Sequence, residues 1–407
     1  MEGDPFSFPD MPVPPPLEPI LPENPEAGSI PPFRSLKELV DRVTGREHWS
    51  PTEVGDAGLA ELLPFPFLAV VGQRDMKLAL LLNLVNPAVG GVLLIGPRGT
   101  GKTTAVRGLV DLLPETLRSL CYYGCLPEDV EIGGVDAVCP DCARKFGMGE
   151  PLAKMDKVRL VELPLNARLE DVVGGIDERA AIHERLRTRR GILAQADRNL
   201  LYIDEVNLLP DDVVDAILDA AALGSITVRR GPLSATFRSR FTLIGSMNPE
   251  EGRLRPQIMD RFGLRVVVHG LTAVQERLEA YRRVQSYTLS PRSITQSYLE
   301  ENRLFQAEIQ STRDILPQVV LPDEVAQLGL QMVARLKIDS LRAEISMFEA
   351  ARAYTALDAR REVTKEDLLL IAPMALRLRR SKFMEEFFSR QDAEELEINE
   401  NIQNLLE

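Results

Sequence analysis

The segment GGVLLIGPRGTGKTTAVRGLVDLL, Gly90 to Leu113, constrains the fold more than any other stretch. Its first seven residues are a short, uninterrupted apolar run, which is stable as a strand only where both faces are covered. A glycine-rich turn follows, and then a segment of helical spacing. Three further strand-like runs recur downstream: KVRLVELP (157–164), RNLLYIDE (198–205) and RFTLIGSMN (240–248). Between the last two, DDVVDAILDAAALG has helical spacing and ends on a glycine stop. Apolar strands alternating with helices predict a parallel sheet with helices on both sides, an α/β fold. The pattern changes near Leu271. TAVQERLEAYRRV, LPDEVAQLGLQMVARL, SLRAEISMFEAARAYTAL and TKEDLLLIAPMALRLRR all read as helices, the last capped by Thr364.

Four regions follow. Residues 1–34 hold eleven of the 29 prolines, so neither helix nor ladder hydrogen bonds can persist and an extended leader is expected. Residues 35–270 make the α/β domain, residues 271–385 an all-helical domain, and residues 386–407 an acidic tail. The chain of 407 residues has a net charge of −13, which argues against a general affinity for nucleic acid or anionic lipid. It has no apolar run long enough to span a bilayer and no secretory or transit pattern, so the cytoplasm is the expected compartment.

GPRGTGKT, Gly96 to Thr103, fits G-x-x-x-x-G-K-[ST] at the junction of a strand and a helix. Glycines let backbone N–H groups turn inward around phosphates, Lys102 brings positive charge to them, and the Thr103 hydroxyl can ligate Mg²⁺. Gly96, Pro97, Arg98, Gly99, Thr100, Gly101, Lys102, Thr103 and Thr104 are therefore the expected cradle of ATP. Asp204 and Glu205 end an apolar strand, where two acids buried without purpose would cost several kcal/mol. At the carboxyl end of a parallel strand they face a ligand crevice instead. Asp204 suits the Mg²⁺ ion, and Glu205 suits the activation of a water. The stretch IGSMNPEEGRLRPQIMDRFG, Ile244 to Gly263, then puts Asn248 at the next strand end and Arg261 beyond it. Asn248 can orient the γ-phosphate or the water. Arg261 can act as an arginine finger toward a neighbouring subunit's nucleotide.

These elements, in this order, resemble the AAA+ ATPases and, within them, the magnesium chelatase subunit I family. The likeness runs along most of residues 67–380. It is carried by VVGQRDMKLALLLNLVNPAVGGVLLIGPRGTGKTT, LPLNARLEDVVGGIDERAAI, LLYIDEVNLLPDDVVDAIL, GSMNPEEGRLRPQIMDRFGL and DSLRAEISMFEAARAYTAL. The resemblance implies a P-loop AAA+ module with a C-terminal helical lid, and Arg342 in SLRAE as the lid arginine that reaches bound nucleotide. It also implies an insertion after the second strand (ARLEDVVGGIDERAAIHERLRTRRG) and a hairpin insertion at residues 225–241. Its further implications are a homo-oligomeric ring, hexameric in the family, and a second AAA+ subunit with an integrin-like domain. A large porphyrin-binding subunit completes the set, and the ring drives Mg²⁺ insertion into protoporphyrin IX for chlorophyll or bacteriochlorophyll. A remodelling chaperone of the MoxR type and a cobalt chelatase motor would use the same nucleotide machinery. Arg229, Arg230, Arg238 and Arg240 around the hairpin leave a nucleic-acid motor as a third reading, opposed by the net charge, and a small-molecule kinase ranks below it because no acceptor site is visible.

Cys121, Cys125, Cys139 and Cys142 lie outside that resemblance. Their spacing, C-x₃-C followed by C-x₂-C, suits a tetrahedral structural Zn²⁺ site built from two turns in the loop 121–142. Reduced, partly buried thiols and a redox-sensitive disulfide are the competing readings.

Overall fold

Four consecutive apolar residues, Val92–Ile95 (β1), are buried on both sides. Val92 and Leu94 enter one hydrophobic cluster and Leu93 and Ile95 another, as the two-residue period of a strand requires. The computed structural model describes residues 63–176, 188–230, 233–252 and 254–380. The expected leader (1–34), the start of the α/β region and the acidic tail (386–407) lie outside the described residues, as does the middle of the insertion after the second strand, 177–187.

With Leu160–Leu163 (β2), Leu200–Ile203 (β3), Thr242–Met247 (β4) and Leu264–Val267 (β5), β1 forms one sheet. The order is β5-β1-β4-β3-β2, with every pairing parallel. Four of these strands fall where the apolar runs predict them. The fifth, β5, escapes such a reading because Arg265 interrupts its apolar run, yet that arginine is fully buried.

The helices that matter for the site are Arg74–Val85 (α1), Lys102–Gly108 (α2), Asp211–Leu223 (α3) and Pro256–Arg261 (α4). The segment after the P-loop is not one continuous α-helix. At Gly108 it passes into a 3₁₀ turn, Leu109–Leu112, where a residue with little helix preference meets a close approach. A Cβ on Gly108 would lie 2.3 Å from the Phe65 carbonyl oxygen. α3 ends as its sequence predicts, with Gly224 in the left-handed region (φ 66°). Val213, Val214, Ile217 and Leu218 on its inner face pack with Leu93, Leu201, Ile203 and Phe262.

The C-terminal region is helical: Val274–Leu289, Pro291–Ser297, Leu299–Ile315, Asp323–Arg335, Leu341–Leu357 (α5) and Lys365–Leu376 (α6), of which the last four contribute to the core on the other face of the sheet. Ala343, Ala350 and Ala351 of α5 are wholly buried and share a core with α1, β1 and β5. Asn86, at the end of α1, donates to the carbonyl (3.1 Å) and carboxylate (2.7 Å) of Glu349. Thr364 caps α6 as expected. Its hydroxyl accepts from Asp367 N, and Asp367 accepts from Thr364 N at 2.9 Å.

Three small antiparallel pairs stand apart from the main sheet. Thr116–Ser119 with Ala153–Asp156 brackets the cysteine loop. Gly174–Ile176 pairs with Thr188–Arg190, and Ser225–Arg230 with Leu233–Arg238. The last is the hairpin expected at 225–241.

Candidate functional site

Parallel strands release their carboxyl ends along one edge of a sheet, and loops from β1, β3 and β4 meet there. The loop from β1 is the P-loop. Gly99 (φ 77°) and Gly101 (φ 85°) hold left-handed conformations, and a Cβ on either would project into space clear of every residue but its own neighbours in the chain. This leaves an open concave run of backbone at the head of α2. Gly96 meets the opposite constraint: a Cβ there would sit 2.2 Å from the Val268 carbonyl oxygen at the end of β5. Gln73 ties the P-loop to the chain before α1, donating to His269 O (2.7 Å) and Thr100 O (3.4 Å).

Lys102 is 9% exposed and its Nζ donates to Gly96 O (2.7 Å) and Pro97 O (2.8 Å). Burial lowers its pKa, opposed by the negative charges of Asp204, Glu251 and Glu205. Thr103 Oγ1 donates to Asp204 Oδ2 at 3.1 Å and lies 3.1 Å from the Tyr202 hydroxyl. Tyr202 in turn donates to Asp204 Oδ1 (2.9 Å), and burial pushes its own pKa up. Ser246 on β4 donates to the same carboxylate and accepts from Glu205 N at 3.1 Å. Asp204 is thus oriented from three sides. Glu205, the next residue, has φ 53°, a costly conformation for a non-glycine residue and one common at functional sites.

Asn248 is 4% exposed, and its amide donates to Glu251 Oε1 at 2.8 Å. That bond, together with the bridge from Arg98 Nε to Glu251 Oε1 (2.5 Å), holds the Glu251 carboxyl below the usual range. Arg98 Nη2 also donates to Glu205 Oε1 at 3.2 Å. The structure therefore joins the P-loop residues, Asp204, Glu205 and Asn248 in one network, as their motifs predict. Thr103 and Asp204 present adjacent hard oxygens of the kind Mg²⁺ takes beside water and phosphate, and the open glycine cradle fits phosphates. An Mg²⁺-nucleotide fits the residues present.

The two remaining arginines lie elsewhere. Arg261, the last residue of α4, pairs with Asp219 of α3. Arg342, on the first turn of α5, has its Nη1 3.7 Å from Asp260 Oδ2. Among the described residues neither hydrogen-bonds to the P-loop, Asp204, Glu205 or Asn248. Asp260 also accepts from Ser340 Oγ (2.7 Å) and Arg379 Nη1 (2.6 Å), with Arg265 Nη2 at 3.6 Å. The carboxylate beside Arg261 thus ties α4 to the start of α5, to the segment after α6 and to β5.

A family model described as magnesium chelatase, subunit ChlI matches residues 175–255, and one for the AAA lid domain matches residues 331–399. A magnesium-chelatase subunit ChlI homolog from Methanocaldococcus jannaschii is 40% identical over 340 residues, 83% of this chain and 91% of that protein. The chain belongs to the magnesium chelatase subunit I family. The magnesium-chelatase 38 kDa subunit of Acidiphilium rubrum is likewise 40% identical, over 77% of this chain and 90% of its own length. A candidate ATPase from Cytophaga hutchinsonii, 19% identical, overlays with a TM-score of 0.50 across 77% of this chain and 84% of its own, a likeness of fold. This family membership carries the AAA+ ATPase character that the P-loop and the lid express. No helix among the described residues is long and apolar enough to cross a membrane.

Sequence reasoning missed Tyr202, Ser246 and Glu251. Tyr202 and Ser246 lie inside apolar strand runs and look like filler. Glu251 sits in the charged stretch after Asn248, where its density of charge was visible and its partners were not.

Proposed function

We propose that this chain is the ATP-hydrolysing motor subunit of a magnesium chelatase. Acting as a ring, hexameric in our reading, it drives the insertion of Mg²⁺ into protoporphyrin IX on a separate porphyrin-binding subunit. An AAA+ partner with an integrin-like domain links the two, and the cytoplasm is the assigned compartment. One observation carries the catalytic half: Thr103, Asp204 and Glu205 lie in a single hydrogen-bonded array at the mouth of the P-loop.

The residues divide the work. Backbone N–H groups of residues 96–104 cradle the phosphates. Lys102 exchanges its two carbonyl partners for phosphate oxygens, a stronger charge-assisted contact. Thr103 and Asp204 would hold an Mg²⁺ ion, which would supply charge neutralisation to the phosphates. Glu205 accepts the proton of the attacking water, and the Asn248 amide, set by Glu251, orients that water or the terminal phosphate. Arg98 neutralises Glu205 and Glu251 while the site is open. Arg261 serves the adjacent subunit's site, since its own P-loop has no bond to it, and Arg342 reports nucleotide state from the lid.

The test mixes this chain with the two partner subunits, protoporphyrin IX, Mg²⁺ and ATP, and follows Mg-porphyrin fluorescence. Turnover is expected with the intact chain and absent with Glu205→Gln. Product no greater than in a mixture lacking this chain overturns the substrate assignment.

A further inference from the structure

The four cysteines converge on one point, and the nucleotide chemistry uses none of them. All four are free thiols whose Sγ atoms lie within 4.8 Å of one another. Cys121 Sγ and Cys139 Sγ are 3.5 Å apart. A tetrahedron of sulfurs about 2.3 Å from a central Zn²⁺ has edges of about 3.8 Å, so little movement separates this arrangement from a closed site. Two backbone groups already aim at sulfur: Tyr123 N is 3.2 Å from Cys121 Sγ, and Cys139 N is 3.3 Å from Cys125 Sγ. Such N–H···S contacts are what orient and stabilise thiolate ligands.

The surrounding module has little else to hold it. Its buried cluster consists of Cys125, Val130, Cys142 and Leu152, so half of its core is thiol. A fold element this small needs a staple. The turn between Cys121 and Cys125 also bears on the rest of the molecule. Tyr123 stacks on Phe237 of the 225–238 hairpin with centroids 5.7 Å apart, and Tyr122 meets the same ring edge-on at 5.7 Å. The Tyr122 hydroxyl accepts from Arg190 N (3.2 Å) on the smaller pair of strands. Asp129, in the helix that follows Cys125, pairs with Arg238.

We propose that Cys121, Cys125, Cys139 and Cys142 bind a structural Zn²⁺ ion that fixes the Tyr122–Tyr123 turn and thereby clamps the base of the 225–238 hairpin against the strand pair Gly174–Ile176 and Thr188–Arg190. The metal is a strut, since four protein ligands leave no open position for chemistry.

Untagged wild-type protein should carry about one Zn²⁺ per chain, released by an organomercurial and read with a chromogenic chelator. Exchange with Co²⁺ should give the intense visible bands of tetrahedral thiolate coordination, and Cys142→Ser should lose the metal. Because that variant can also misfold, the clamp is read separately. Stripping the metal from wild-type protein should speed tryptic cleavage within residues 225–241 on the order of tenfold. Tyr122→Ala should keep the metal and show faster cleavage too. Wild-type protein lacking zinc, holding iron in its place, or offering four fast-reacting thiols overturns the site. Unchanged cleavage after stripping overturns the clamp. None of these readouts involves ATP or porphyrin, so they stand or fall independently of the motor function.

Discussion

Replacing Asp260 with Asn isolates the contact between the nucleotide module and the lid. The Arg265 and Arg379 side chains are fully buried, and Asp260, 27% exposed, is the carboxylate that faces both. Burial, and then the charge of Arg379, pull the pKa of Arg265 down to about 9, so the two guanidinium groups already strain against each other. Removing one partner of a buried ion pair costs about 3–5 kcal/mol. The value here belongs at the low end, near ~3 kcal/mol, because both arginines keep neutral acceptors. Arg379 still donates to Ala375 O, Phe262 O and Gly263 O, and Arg265 to Met259 O and Arg377 O. Urea unfolding of the wild type, Asp260→Asn and Asp219→Asn measures it. Asp219 pairs with Arg261 at the surface, 61% exposed, so its substitution should cost less than about 1 kcal/mol. If the two variants lose equal stability, or Asp260→Asn loses under about 1 kcal/mol, the reasoning about the buried hub is wrong.

Lys102→Ala should weaken nucleotide binding roughly tenfold to a hundredfold, the worth of one charge-assisted contact, by equilibrium titration with a fluorescent nucleotide. Glu205→Gln should bind nucleotide as the wild type does while turnover falls by about 10²–10⁴. Arg261→Ala should bind ATP and hydrolyse it poorly. Mixing it with Glu205→Gln chains should restore part of the ATPase rate, and no recovery at any ratio would sink the assignment across subunits. Burial alone would raise the Asp367 carboxyl, but a bidentate Arg360 (2.6 and 2.8 Å) and the Thr364 cap outweigh it and the pKa is lowered. Its contribution is therefore complete above the unfolded value of about 3.9 and lost as pH falls through the lower folded value. Acid unfolding below about pH 4 should be less steep in Asp367→Asn than in the wild type.

The sheet and the ligand crevice were legible because each is written in contiguous residues. An apolar run buried on two faces, a P-loop and a strand ending in Asp204 and Glu205 need no partner to be recognised. What escaped depends on pairing at a distance. β5 was hidden because Arg265 reads as an exposed residue until Met259 O and Arg377 O are seen to accept from it. The Asp260 hub joins positions up to 119 residues apart, and no spacing rule reaches that far. The cysteines fall between these cases. Their spacing named the cluster, whereas the aromatic turn inside it, Tyr122 and Tyr123, gained meaning only when Phe237 was found against it.

Asp260 and Arg261 are adjacent in sequence, and successive residues on a helix point about 100° apart. The first faces inward to two buried cations and the lid, and the second outward to α3. Their energies differ in the same sense. Holding Asp260 is worth several kcal/mol, so α4 is anchored to the lid and cannot drift from it. The Arg261–Asp219 pair is half in solvent and worth less than about 1 kcal/mol, so in the ring proposed above a phosphate at the adjacent subunit would draw the guanidinium away at small cost. A finger that had to leave a buried partner would forfeit much of the stabilisation it supplies to the transition state. In the proposed ring, a short helix with one fixed and one releasable charge avoids that loss, and the Asp260 carboxylate, beside the backbone contacts of Arg379 and Arg265, is one link by which movement of the lid would reach Arg261.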